Sequence, residues 1–115
     1  MTLQEFKNKL DISPEKIIFQ DTLNVIENSY HFQPTAFTNG ELKNKEGENS
    51  GSCKLFAFCK LQYFTQQQTL MCFGEHYRNV LSNPDGNDHQ NIRNFMEFGW
   101  KEISFTEFPL SSTKK

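Results

Sequence analysis

The chain reads as a small single-domain α+β protein, dominated by four to five helices around a small sheet, and three observations predict it. Its 115 residues, 36% hydrophobic and 23% charged, suit one domain with one modest core. Apolar residues recur at helical spacing in several stretches, most of them opened by a capping residue. Two short runs, 30–37 and 103–105, lose that period and suit extended structure. The 12 phenylalanines make ring burial and edge-to-face contact a large part of the core's stability.

Thr2 and Glu5 have capping-box spacing, and Leu3, Phe6 and Leu10 share one face, which predicts a first helix almost from the first residue. Ser13-Pro14-Glu15 supplies a cap and a first-turn proline for a brief turn. Phe19, Leu23, Ile26 and Tyr30 then follow helical spacing, with Asp21 as candidate cap. Pro34 forces extended backbone on its neighbour, so 30–37 reads as a strand or extended segment. Residues 38–52 carry Gly40, Gly47 and Gly51 among Asn, Glu and Lys, and are expected to form a long loop, a candidate lid.

From Cys53 to Phe64 only Lys54, Lys60 and Gln62 are strongly polar, which predicts a nearly surrounded central helix capped by Ser52. Thr65 and Gln68 repeat the capping box, and Leu70, Phe73, Tyr77, Val80 and Leu81 form one helical stripe that stops before Pro84. The turn 83–87 leads to Asp88 as N-cap of a helix facing inward with Ile92, Phe95, Met96 and Trp100, ending near Gly99. Ile103-Ser104-Phe105 is a short strand. The domain is expected to span 1–110, with 111–115 a disordered tail.

A net charge of −2 and scattered lysines leave no concentrated basic face, so neither nucleic acid nor an anionic membrane is an expected partner. Cys53, Cys59 and Cys72 lie in apolar surroundings and cannot close a disulfide framework, which predicts reduced thiols and a cytoplasmic protein. No stretch has the length of a membrane span, and no basic region followed by an apolar run marks a signal peptide.

Gly51-Ser52-Cys53 at a helix start is the first candidate for chemistry, because helix N–H groups and dipole stabilise a thiolate there. Cys53 as nucleophile needs a base, and His89, oriented by Asp88 or Asn91, is the available set. The plain alternative is that Ser52 caps, Cys53 packs as a small hydrophobe and His89 is a first-turn polar residue. Cys72 and His76 have ligand spacing, but the helical stripe makes Cys72 a core flank and His76 a surface residue, so no metal is expected. No cofactor is expected either. Lys54 and Arg93, with the backbone N–H groups of two helix starts, form a candidate anion pocket. Ser52 and Asn39 complete the ligand-binding candidates, although Thr38-Asn39-Gly40 reads first as a turn. Arg93 alternatively pairs with Glu41, Glu46, Glu48 or Asp88 and pins the long loop.

Five motifs carry a resemblance: Phe19-x-Asp21-Thr22, the run 34–40 (Pro-Thr-Ala-Phe-Thr-Asn-Gly), the run 51–58 (Gly-Ser-Cys-Lys-Leu-Phe-Ala-Phe), Cys72-Phe73-Gly74, and the run 88–95 (Asp-His-Gln-Asn-Ile-Arg-Asn-Phe). In that order, from the first helix to about Phe105, the chain resembles the HopJ type III effector family. The resemblance implies a bacterial, virulence-associated setting and export into a host cell by type III secretion; it brings no catalytic residue or cofactor. The function expected is a non-enzymatic domain that binds an unknown protein or a small anionic ligand through the 38–52 loop and the helix starts at 53 and 89. The other classes are a cysteine-dependent hydrolase or transferase using Cys53 and His89, and a purely structural use of the same motifs. An accessible Cys53 within hydrogen-bond reach of His89 marks the enzyme, and a buried Cys53 either alternative.

Overall fold

The computed structural model describes residues 1–113, and among these six α-helices and five three-residue strands form one α+β domain. Helix α1 (Leu3–Ile12) opens on the expected capping box, with Glu5 N–H donating to Thr2 Oγ1 at 3.1 Å and Thr2 N–H to Glu5 Oε1 at 2.7 Å. Its buried residues are Phe6 and Leu10. A 3-10 turn, Pro14–Lys16, leads to α2 (Phe19–Ser29). Ile18, not Asp21, is the N-cap; Asp21 sits in the first turn, where Oδ2 accepts from Ile18 N–H at 3.3 Å and from Lys9 Nζ at 3.1 Å. The buried face is Thr22, Val25 and Ile26, with Leu23 half-buried, and Thr22 Oγ1 donates to the Cys72 carbonyl at 2.7 Å.

The strands are β1 (Tyr30–Phe32), β2 (Phe37–Asn39), β3 (Leu42–Asn44), β4 (Ile103–Phe105) and β5 (Leu110–Ser112). They form two antiparallel sheets, one of order β3-β2-β4 and one pairing β1 with β5. The expected lid is corrected by this pairing, because its first half is the β2–β3 hairpin, turned at Gly40 (φ 62) as a two-residue loop requires. Residues 46–49 are turns, held by Lys45 N–H on Glu48 Oε1 at 2.8 Å. The expected disordered tail is also shortened: Ser111 and Ser112 lie in β5 opposite His31 and Tyr30. Residues 114 and 115 lie outside the described residues.

Helix α3 (Ser50–Leu61) is the centre of the core, with Cys53 and the five consecutive residues from Leu55 to Cys59 all buried. Phe56 packs edge-on or tilted against Phe37, Phe73, Phe95 and Trp100 at 5.0–6.3 Å. Phe58 meets Phe6, Tyr30 and Phe64 edge-on at 5.9–6.1 Å.

The stripe from 66 to 82 is two helices rather than one, α4 (Gln66–Cys72) and α5 (Glu75–Ser82), which brings the helices to six. Gly74 breaks it at φ 59, ψ −126. A Cβ there would lie 2.7 Å from Phe19 N and 2.8 Å from Ile17 O, so two backbones touch at this point and only glycine fits. Helix α6 (Gln90–Phe98) ends at Gly99, and its N-cap is His89 rather than Asp88. Trp100 leaves the helix for a 3-10 turn, and its indole N–H donates to the Phe64 carbonyl at 3.0 Å. Among the described residues no helix is long and apolar enough to cross a membrane.

Candidate functional site

The N-termini of α3 and α6 open onto one cleft of about 600 Å³. Each helix starts from a non-glycine residue in left-handed conformation, Asn49 (φ 51) and His89 (φ 49), and neither cap closes its helix with a side chain. The first-turn residues Gly51, Ser52, Gln90 and Asn91 line the cleft, and they belong to the helix ends where uncapped backbone N–H groups and the helix dipoles place partial positive charge. Phe19 and Phe73, stacked at 6.0 Å with an interplanar angle of 2°, supply apolar lining together with Leu42 and Ile92. His76, from the first turn of α5, stands edge-on to Phe19 at 5.0 Å and lies 5.2 Å from the His89 ring.

Behind this lining is a network of asparagines. Asn39 Nδ2 donates to the Asn91 carbonyl (2.8 Å) and to Asn91 Oδ1 (3.1 Å), and Asn91 Nδ2 donates to Asn44 Oδ1 at 3.0 Å. Asn49 Nδ2 reaches the same Asn44 oxygen at 2.7 Å, and Asn94 Nδ2 holds the Asn39 carbonyl at 2.9 Å. The β2–β3 hairpin and the starts of α3 and α6 are thus fixed to one another by buried amides, which fixes the shape of the cleft. Among the described residues Asn39 Oδ1 is buried without a hydrogen-bond partner.

The carboxylates of Asp88, which lines the cleft, and of Glu75, beside His76 in the chain, are held by other groups. A hydrogen bond from Arg93, 2.7 Å from Asp88 Oδ1, keeps the Asp88 carboxyl below its usual range despite the opposing effect of partial burial. Burial pushes the Glu75 carboxyl up, but the Phe19 N–H bond at 2.7 Å and neighbouring donors and cations outweigh it and hold the group low.

Several residues singled out in the sequence do not meet here. Cys53 is 1% exposed beneath the cleft and is not part of its lining. Its Sγ contacts the Thr35 carbonyl at 4.0 Å, and burial pushes the thiol up to about 11, so it stays neutral at physiological pH. The helix starts at Ser50 and not after Ser52, so Cys53 has already turned into the core and Ser52 caps nothing. His89 faces His76 instead of a thiol. Asn91 borders the cleft, but its amide is committed to Asn44 and Asn39, and Asn39 is buried behind it.

Lys54 and Arg93 do not build an anion pocket. Lys54 lies 3.9 Å from Glu27 and 4.9 Å from the Phe32 ring centroid. Arg93 binds the Asp88 carboxylate and the Asp88 and Pro84 carbonyls, so it pins the 84–88 turn rather than the 38–52 segment. Of the ligand-binding candidates only Ser52 reaches the cleft. Phe19, Asn49, His76 and Gln90 were not singled out for it, and the one available signal was His76, noted only for its spacing from Cys72. Cys72 is in fact in the core beside Cys59, whose thiol is pushed far up by burial and by the neighbouring sulfur. Among the described residues no group of three or more His, Cys, Asp or Glu side chains is placed to hold a metal ion.

No curated protein matches the chain. A crystal structure described as that of an "unknown function protein VPA0580" shares 52% identity with it, with a TM-score of 0.94 over 97% of this chain and 94% of that one. The family model described as HopJ type III effector protein matches residues 3–110. The core helix α3, the asparagine-bearing strand β2 and the start of α6, which shape the cleft, all fall within that match, and the chain belongs to the HopJ type III effector family.

Proposed function

We propose that the protein is a non-enzymatic binding domain whose cleft takes a small organic anion. The observation that carries this reading is the convergence of two open helix N-termini and the His76–His89 pair on one concave, partly aromatic surface. Helix N-terminal N–H groups and imidazole N–H groups are donors suited to a carboxylate or phosphate. Phe19, Phe73 and Ile92 suit an apolar body attached to it. The cysteine-dependent alternative lacks support, since it needs a thiolate at the surface and Cys53 is an enclosed, neutral thiol.

The test is a titration followed by backbone amide NMR, with benzoate, phenyl phosphate and inorganic phosphate as probes. Saturable shifts centred on residues 51, 52 and 89–91, lost in His76→Ala and His89→Ala, support the reading. Absence of shifts with all three probes, or shifts that survive both substitutions, overturns it.

For location, we place the protein in the cytoplasm of the cell that makes it, with type III export as the alternative that the family's name suggests. Phe6 and Leu10 of α1 are buried, so passage of the N-terminal segment through a narrow channel means withdrawing part of the core. The measurement is secretion of a reporter fused to residues 1–30 in strains with and without a type III apparatus. Export that depends on the apparatus overturns cytoplasmic residence.

A further inference from the structure

At the opposite end of α3 from the cleft, Lys60, Tyr63, Phe64, Trp100 and Lys101 line a second groove of about 390 Å³. Tyr63 follows the C-cap of α3 with φ 58, while Phe64 N–H closes back on the Cys59 carbonyl at 3.0 Å. This is the position of a helix ending where glycine is favoured, because a Cβ is strained there. A tyrosine that is 92% exposed gains little packing from the described residues to offset that strain, so the fold is not what its ring serves.

Trp100 opposite is fixed: its indole N–H is bound to the Phe64 carbonyl, and its ring packs edge-on against Phe56 and Phe95. The groove therefore has one rigid aromatic wall and one projecting aromatic ring. Its charges are of one sign, since Lys60 and Lys101 are exposed, no carboxylate is among the lining residues, and neither lysine is in an ion pair among the described residues.

We propose that this groove docks an acidic segment of a partner protein, with an apolar side chain of that segment between Tyr63 and Trp100 and its carboxylates on Lys60 and Lys101. Aromatic anchors flanked by complementary charge are the pattern of a binding hot spot. A nucleic-acid strand fits less well, because it needs a track of cations along successive phosphates and two lysines do not make one.

Trp100 is the chain's single tryptophan, so its fluorescence reads this groove directly. The experiment titrates the intact protein with an acetylated Glu-Glu-Phe-Glu-Glu amide, with its Gln-for-Glu counterpart, and with an oligothymidylate. The expected result is saturable binding of the acidic peptide, about tenfold tighter than the neutral one at low salt. Tyr63→Gly and the double variant Lys60→Glu, Lys101→Glu should each weaken it by about fivefold or more. Tyr63→Gly should also have a higher Tm than the parent, since glycine takes this φ without strain, which separates lost binding from lost folding. The proposal is overturned by absence of saturable binding, by equal binding of the neutral peptide, by affinity untouched in either variant, or by tighter binding of oligothymidylate. Self-association of the unliganded protein that Tyr63→Gly abolishes also overturns it, by giving the groove to a second copy.

Discussion

One helical turn decides what Cys53 is. Started at Ser50, α3 carries residue 53 inward, where the thiol is enclosed and its pKa rises to about 11. Alkylation of Cys53 by a small reagent, followed by peptide mapping, should therefore require opening of the fold and be far slower in the native protein than in urea at the same pH. Fast modification of the native protein would contradict the burial seen here. The held carboxylates give a pH dependence whose sign is fixed. Asp88 and Glu75 both have folded-state values below their ordinary ones, so each contributes stability at neutral pH that is lost as pH falls through its folded value. Acid denaturation of Glu75→Gln should show a smaller loss of stability below the ordinary carboxylate range than the parent; an identical acid limb would remove Glu75 from this account.

Among the elements, Gly74 and the asparagine network are the points where a single change should reach furthest. Gly74→Ala puts a Cβ against the backbone of residues 17–19 at a positive φ, and should cost about 3 kcal/mol or more, read as a shift in the urea midpoint. Asn91→Ala leaves Asn44 Oδ1 with one donor fewer and Asn39 Nδ2 without its side-chain acceptor, an expected loss of about 2 kcal/mol with broadened amide signals across the β2–β3 hairpin. These same two features mark where the sequence stopped being readable. Both capping boxes, at Thr2 and Thr65, were legible because donor and acceptor lie three residues apart. The helix break at Gly74 was not, since its cause is the backbone of residues 17–19, which no local pattern names. In the sequence the hairpin looks like a loop, because Asn39 and Asn44 resemble turn residues until Asn91, about fifty positions later, supplies their partner. The cleft was legible only as two helix starts near 53 and 89; its His76 wall depends on the break at Gly74 that turns α5.

Over the whole molecule, α3 is the hub around which the other elements are arranged, and the β1–β5 pair ties the C-terminal end of the described chain to the segment that follows α2. Leu110, buried at the start of β5, is the anchor of that pair. Leu110→Ala should lower stability by about 2–3 kcal/mol in a cooperative melt, and hydrogen exchange should quicken in β1 before it does in β2. If β1 keeps its protection, the pairing is not what holds it. The two-sheet arrangement also bears on how the protein is made. Tyr30 leaves the ribosome some eighty residues ahead of its register partner Ser112. At ~5–20 residues per second that delay is roughly 4 to 16 seconds, during which the edge of β1 stands unpaired. For that interval the nascent chain is a substrate for any holding chaperone that recognises an open strand edge, and the β1–β5 sheet closes only once translation has passed residue 112.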